Sequence, residues 1–165
     1  MGEVLEKCVL STTLGAPHAE RDPFEGLDFS IAIPKGMRLA TRIGQTCIFN
    51  RTGRVGPGVQ SIPTFVFGAT NMQVALATSE RENFALNRLK KDHPDAEDIR
   101  IEALTIANRP AIEIKARDAS EGVTYIYLAF VFEEKRYWRA LLHAEENDEQ
   151  TLQDVSRSVR DLKVR

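Results

Sequence analysis

Tyr125-Ile126-Tyr127-Leu128-Ala129-Phe130-Val131-Phe132 is the stretch on which the fold turns. Side chains alternate between the two faces of a strand, so a strand with one wet face is apolar at every second position. Here both alternating sets are apolar. Such a strand is central and is covered on both sides. Glu133-Glu134-Lys135 then turns the chain, and Tyr137 to Ala144 reads as the hairpin partner. Upstream, Ile99 to Ile106 and Ala111 to Arg117 read as strands about a turn at Asn108-Arg109-Pro110, with a second turn at Glu121-Gly122. Together these make a four-strand meander.

A helix is expected on each side of the meander. Ser79 and Glu82 have capping-box spacing, Phe84, Ala85, Leu86 and Leu89 form an apolar side, and His93-Pro94 ends the element. After the meander, Asn147 with Gln150 marks a second start. Leu152, Val155, Val159 and Leu162 follow at steps of 3, 4 and 3, one helical stripe, with Gln153, Asp154, Arg157 and Arg160 opposite. Two amphipathic helices and one doubly apolar strand predict an α+β domain whose mainly antiparallel sheet carries helices on both faces.

The N-terminal half is less regular. Residues 1–23 read as an arm, with Val4 to Leu14 compatible with a short helix or a strand, and residues 24–165 as one domain. Phe29 to Ile33 reads as a half-buried strand, Thr41 to Asn50 as one extended stretch, and Thr64 to Ala69 and Met72 to Thr78 as strands joined at Thr70-Asn71. Between them, Arg51 to Pro63 carries three Gly and two Pro and reads as a loop.

The totals bound the function. The chain has 165 residues, 42% hydrophobic and 28% charged, enough for one core without staples. Lys plus Arg number 22 against 24 Asp plus Glu, and the pI is near 6.0, so a nucleic-acid partner is not expected. No apolar run approaches the roughly 18 residues of a membrane-spanning helix. The opening Gly2-Glu3-Val4-Leu5-Glu6-Lys7-Cys8 is acidic where a signal peptide is basic and then apolar. The expected location is cytoplasmic for the chain as it stands, or exported if a leader was removed. Cys8 and Cys47 read either as two free thiols or as one bridge in an oxidising compartment.

Catalytic constellations are sought and not found. Gly53, Gly56 and Gly58 lack the Gly-Lys-Ser/Thr ending of a phosphate loop, and no Gly-x-Ser-x-Gly occurs. The histidines His18, His93 and His143 show no zinc-ligand spacing. His93 lies among Asp92, Asp95, Glu97 and Asp98, but a helix end followed by a charged loop accounts for the same residues. No metal, cofactor or catalytic residue is expected. Candidate binding residues are Arg51 and Arg54 in the loop, which can meet an anion, and Tyr125, Tyr127, Tyr137 and Trp138, flanked by Arg136 and Arg139. The four aromatics read more readily as filling beneath a helix than as a site.

Several motifs give the chain a resemblance. Phe29-Ser30-Ile31-Ala32-Ile33-Pro34-Lys35-Gly36-Met37 is similar to a strand ending in Ile-Pro-x-Gly-Trp, with Met37 at the Trp position. Leu104-Thr105-Ile106-Ala107-Asn108-Arg109-Pro110-Ala111 resembles a strand–turn–strand written Asn-Gly-x-Pro-Ala, and Ser158-Val159-Arg160 a closing helix written Ser-Phe-Arg. With the helix Ser79 to His93 between them, these resemble the PsbP-like superfamily, which includes DcrB-like and Mog-type domains, over about residues 24–163. The resemblance implies an α/β/α sandwich, no shared catalytic residues, and an accessory, chaperone-like or assembly role with an unidentified protein partner. The alternative is a small-molecule or lipid carrier with a pocket between sheet and helix. An enzyme working on an anion at Arg51 and Arg54 is the third reading.

Overall fold

The computed structural model describes residues 22–58, 62–120 and 124–165. Among the described residues, nine strands and two helices follow in the order β1 (Phe29–Ser30), β2 (Arg38–Ile43), β3 (Thr46–Asn50), β4 (Thr64–Asn71), α1 (Thr78–Asp92), β5 (Glu97–Ile106), β6 (Arg109–Asp118), β7 (Thr124–Phe132), β8 (Arg136–Glu145), α2 (Glu149–Arg160) and β9 (Lys163–Val164). Seven strands form one antiparallel sheet in the order β2-β3-β4-β8-β7-β6-β5. The short β1 pairs with β9 outside that sheet.

The period-2 logic of β7 places α2 on one face and α1 on the other. Tyr127, Ala129 and Val131 join Trp138, Ala140 and Leu142 of β8 beneath Val155, Val159 and Leu162. Ile126, Leu128, Phe130 and Phe132 join Ile112 and Ile114 of β6 beneath Ala85 and Leu89. The α2 face also holds Phe24, Phe29, Phe49, Phe65 and Phe67, all buried. Phe29 meets Phe67 edge-on at 6.0 Å and Phe49 stacks on Phe65 at 5.8 Å, the ring geometries that aromatic quadrupoles favour. Each such ring removed from water contributes about 1.5–3 kcal/mol.

Several boundaries differ from expectation for identifiable reasons. Thr41 to Asn50 is a hairpin, not one strand, because Gly44 at φ 59° turns it. Met72 to Thr78 is not a strand, and β4 instead continues through Thr70-Asn71, paired along β8. The β5–β6 turn is Ala107-Asn108, both at positive φ, a two-residue hairpin loop that leaves Arg109 in the next strand. Helix α1 starts after Ala77, whose N–H donates to Glu80 at 3.2 Å, in place of the expected Ser79–Glu82 box. Asp148, not Asn147, caps α2 by accepting from the Thr151 N–H at 3.2 Å. The arm at 1–23 falls almost wholly outside the described residues, as does Cys8. Cys47 is a buried free thiol whose Sγ donates to the Pro23 carbonyl at 3.4 Å.

Candidate functional site

The alternation that buries Trp138, Ala140, Leu142 and Ala144 of β8 turns Tyr137, Arg139, Leu141 and His143 to the α1 face. On the same face, β6 ends with Asp118 and α1 ends with His93, the residue at its C-cap. Three titratable groups separated widely in sequence therefore meet. His93 Nδ1 lies 2.8 Å from an Asp118 carboxylate oxygen, and His93 Nε2 lies 2.9 Å from His143 Nε2. The imidazole planes cross at 74°. The group opens into a cleft of about 560 Å³ that is also lined by Thr64, Asp92 and Asp95.

The electrostatics fix the protons. Asp118 accepts from both the hydroxyl and the N–H of Ser120 and then from His93, which brings its carboxyl down to about 2. An ionised Asp118 places the His93 proton on Nδ1. Burial, then the neighbouring His93, hold His143 below the ordinary imidazole range. His143 is thus neutral at pH 7, and its Nε2 is hydrogen-bonded to that of His93, with the donor set by the tautomer. The two histidines, which show no ligand spacing in the sequence, meet here. Their separation of 50 residues between the histidines hides the pairing from any spacing rule.

The residues singled out from the sequence are spread over both faces. Tyr127 is buried under α2, with its hydroxyl donating to Glu113 at 2.7 Å, and Trp138 is buried on the same face. Tyr125 is half-buried at the margin of that core. Tyr137 lies on the opposite face, edge-on to Phe84 at 5.3 Å. Arg136 covers the Trp138 ring at 4.3 Å and pairs with Asp28 at 2.8 Å. Arg51 donates to the Thr151 hydroxyl at 2.8 Å and sits 3.6 Å from Asp148, so it ties the loop to the start of α2. Arg54 is exposed, and its carbonyl accepts from the Asn50 side chain at 2.7 Å.

Arg139 stands apart from these. It is half-buried on the α1 face and makes no hydrogen bond or ion pair with another described residue. Burial first, then the charge of Arg88, push its guanidinium pKa down. Arg88 itself reaches Asp92 at 3.4 Å. Around Arg139 the sheet runs past α1, which packs on β6 and β7. Ile48 and Val66 there are half-buried and Ile43 is 69% exposed.

With this geometry in view, the chain is similar in fold to several solved structures. LpqN of Mycobacterium tuberculosis, described as involved in cell envelope biogenesis, matches with a TM-score of 0.59 at 13% identity over 88% of this chain and 87% of that one. The PsbP protein of the cyanobacterium Synechocystis, CyanoP, matches with a TM-score of 0.55 at 10% identity over 84% and 87%. A Bacteroides thetaiotaomicron protein matches with a TM-score of 0.53 at 12% identity, and this chain spans 45% of its length. At these identities the likeness is one of fold alone: an α+β fold similar to those of CyanoP and LpqN. No family model matches the sequence, and no curated protein does. Among the described residues, no helix is long and apolar enough to cross a membrane.

Proposed function

We propose that this chain is a non-catalytic accessory module that binds a protein partner on the open part of the α1 face. The single observation that carries the reading is Arg139, a half-buried guanidinium beside Arg88 that makes no hydrogen bond or ion pair with a described residue and feels Asp92 and Tyr137 only at a distance. Burying a cation without a partner is costly, and a partner carboxylate removes that cost. Ile48, Val66 and Leu141 around it supply the apolar surface that such a contact covers. The partner is therefore a protein segment that presents an acidic side chain on an apolar face. The carrier reading has less behind it, since the space between sheet and α2 is filled by Phe29, Phe67, Trp138 and Tyr127, each 0% exposed.

A photo-crosslinking residue at position 141, in the full chain in its native host, tests this. The expected result is one reproducible adduct, lost when Arg139 is changed to Glu and absent when the probe is moved to Lys163. Equal labelling from both positions, or an adduct indifferent to Arg139→Glu, would overturn it.

A further inference from the structure

We propose that His93 and His143 together form a binding site for a divalent transition-metal ion, with Asp118 as the group that orients His93. This goes beyond the partner-binding reading and does not depend on it. Two imidazole nitrogens already face one another at 2.9 Å. A metal ion can take the place of the hydrogen bond between them. Metal–nitrogen distances of about 2.0–2.1 Å at a tetrahedral angle put the two nitrogens roughly 3.3–3.4 Å apart, so the rings need part by only about half an ångström. One of them can give: His93 is at the C-cap of α1 with non-helical φ −134° and ψ 74°, whereas His143 is held in the middle of the sheet between Thr64 and Ile126.

The surroundings are those of a ligand, not of a packing histidine. Metal-bound imidazoles ordinarily donate their second N–H to a carboxylate, which fixes the tautomer and the ring direction. Asp118 does this for His93 at 2.8 Å, and Ser120 holds Asp118 in turn. The pair opens into the cleft that Asp92 and Asp95 also line, so an ion has a solvent path and a negative approach. Among the described residues no set of three His, Cys, Asp or Glu is placed to ligate together. The described residues therefore supply the ion with two nitrogens, and leave its other positions open to water or to an incoming group. Imidazole selects zinc, nickel, cobalt or copper over calcium and magnesium, which take oxygen.

The test is calorimetric titration of the full chain with Zn²⁺ alone, alongside His93→Gln, His143→Gln and Asp118→Asn. One equivalent is expected at this site. It is lost in either histidine variant, and affinity drops about 10- to 100-fold in Asp118→Asn. A second measurement needs no variant: in imidazole ¹⁵N spectra of the unaltered chain, one equivalent of Zn²⁺ shifts both Nε2 signals and removes the hydrogen bond between them. Unchanged heats in both histidine variants would overturn the proposal. So would Nε2 signals that Zn²⁺ does not move, which would leave the pair a proton bridge only. Neither result touches the crosslinking outcome at position 141.

Discussion

The Tyr127 hydroxyl donates to the Glu113 carboxylate at 2.7 Å beneath α2, where Glu113 is 2% exposed. Arg160 supplies the compensating charge at 3.1 Å and the Ser156 hydroxyl lies at 3.4 Å. This cluster pins the C-terminal helix to the sheet through one buried carboxylate. Arg160→Met strands that charge and should cost about 2 kcal/mol, below the value for a fully enclosed pair because Arg160 is half exposed. Adding Glu113→Gln should recover most of the loss. Urea midpoints of the two single variants and the double variant check this, and strict additivity would contradict it.

Gly68 of β4 sits where any side chain would strike backbone. A Cβ there would stand 2.7 Å from both the Gln45 carbonyl oxygen and Thr46 Cα. Gly68→Ala should therefore force β3 away from β4 and cost about 1–3 kcal/mol, read as a lowered thermal midpoint. Its neighbour substitution Ala69→Gly, which removes contact without intrusion, should cost less.

These two sites show what the sequence could and could not disclose. Gly68 is the fifth residue of a run that was read correctly as a strand, yet its need for bare backbone depends on a register with Thr46 that no local pattern encodes. The double alternation of β7 and the 3, 4, 3 stripe of α2 were legible because each is a local periodicity imposed by burial. His93 and His143 were not, since their meeting needs the end of α1 and the last part of β8 to converge. The aromatic hairpin was legible as a strand pair, but its parity splits Tyr137 from Tyr127 and Trp138 across the sheet.

Cys47 should be chemically silent in the folded chain. Burial, opposed by Arg42 and reinforced by Asp22, raises its thiol from 9.0 to about 11. Only the thiolate alkylates, so at pH 8 Cys47 should react with iodoacetamide no faster than the domain opens. The unfolded chain loses this proton first. Stability is then complete below pH 9 and falls between pH 9 and about 11, the window in which the unfolded thiol is ionised and the folded one is not. Cys47→Ala should flatten that part of the stability–pH curve. Mapping the alkylated peptide by mass spectrometry and repeating the urea titration at pH 8 and pH 10.5 check both statements.

Arg139 offers a prediction in which stability and binding move in opposite directions. Its guanidinium is partly desolvated and faces the like charge of Arg88, which outweighs the more distant Tyr137 and Asp92, and it forms no ion pair with a described residue. Methionine has a similar apolar stem and no charge to desolvate. Arg139→Met should therefore raise stability, by about 0.5–2 kcal/mol, as removal of a binding-site compromise does. Arg139→Lys keeps the charge and should leave stability close to that of the unaltered chain. Partner capture at position 141 should be lost in the methionine variant despite its higher midpoint, because the acidic group of the partner then has no cation to meet. A methionine variant that melts earlier would mean the guanidinium is a structural tie and not a surface held in reserve for a partner.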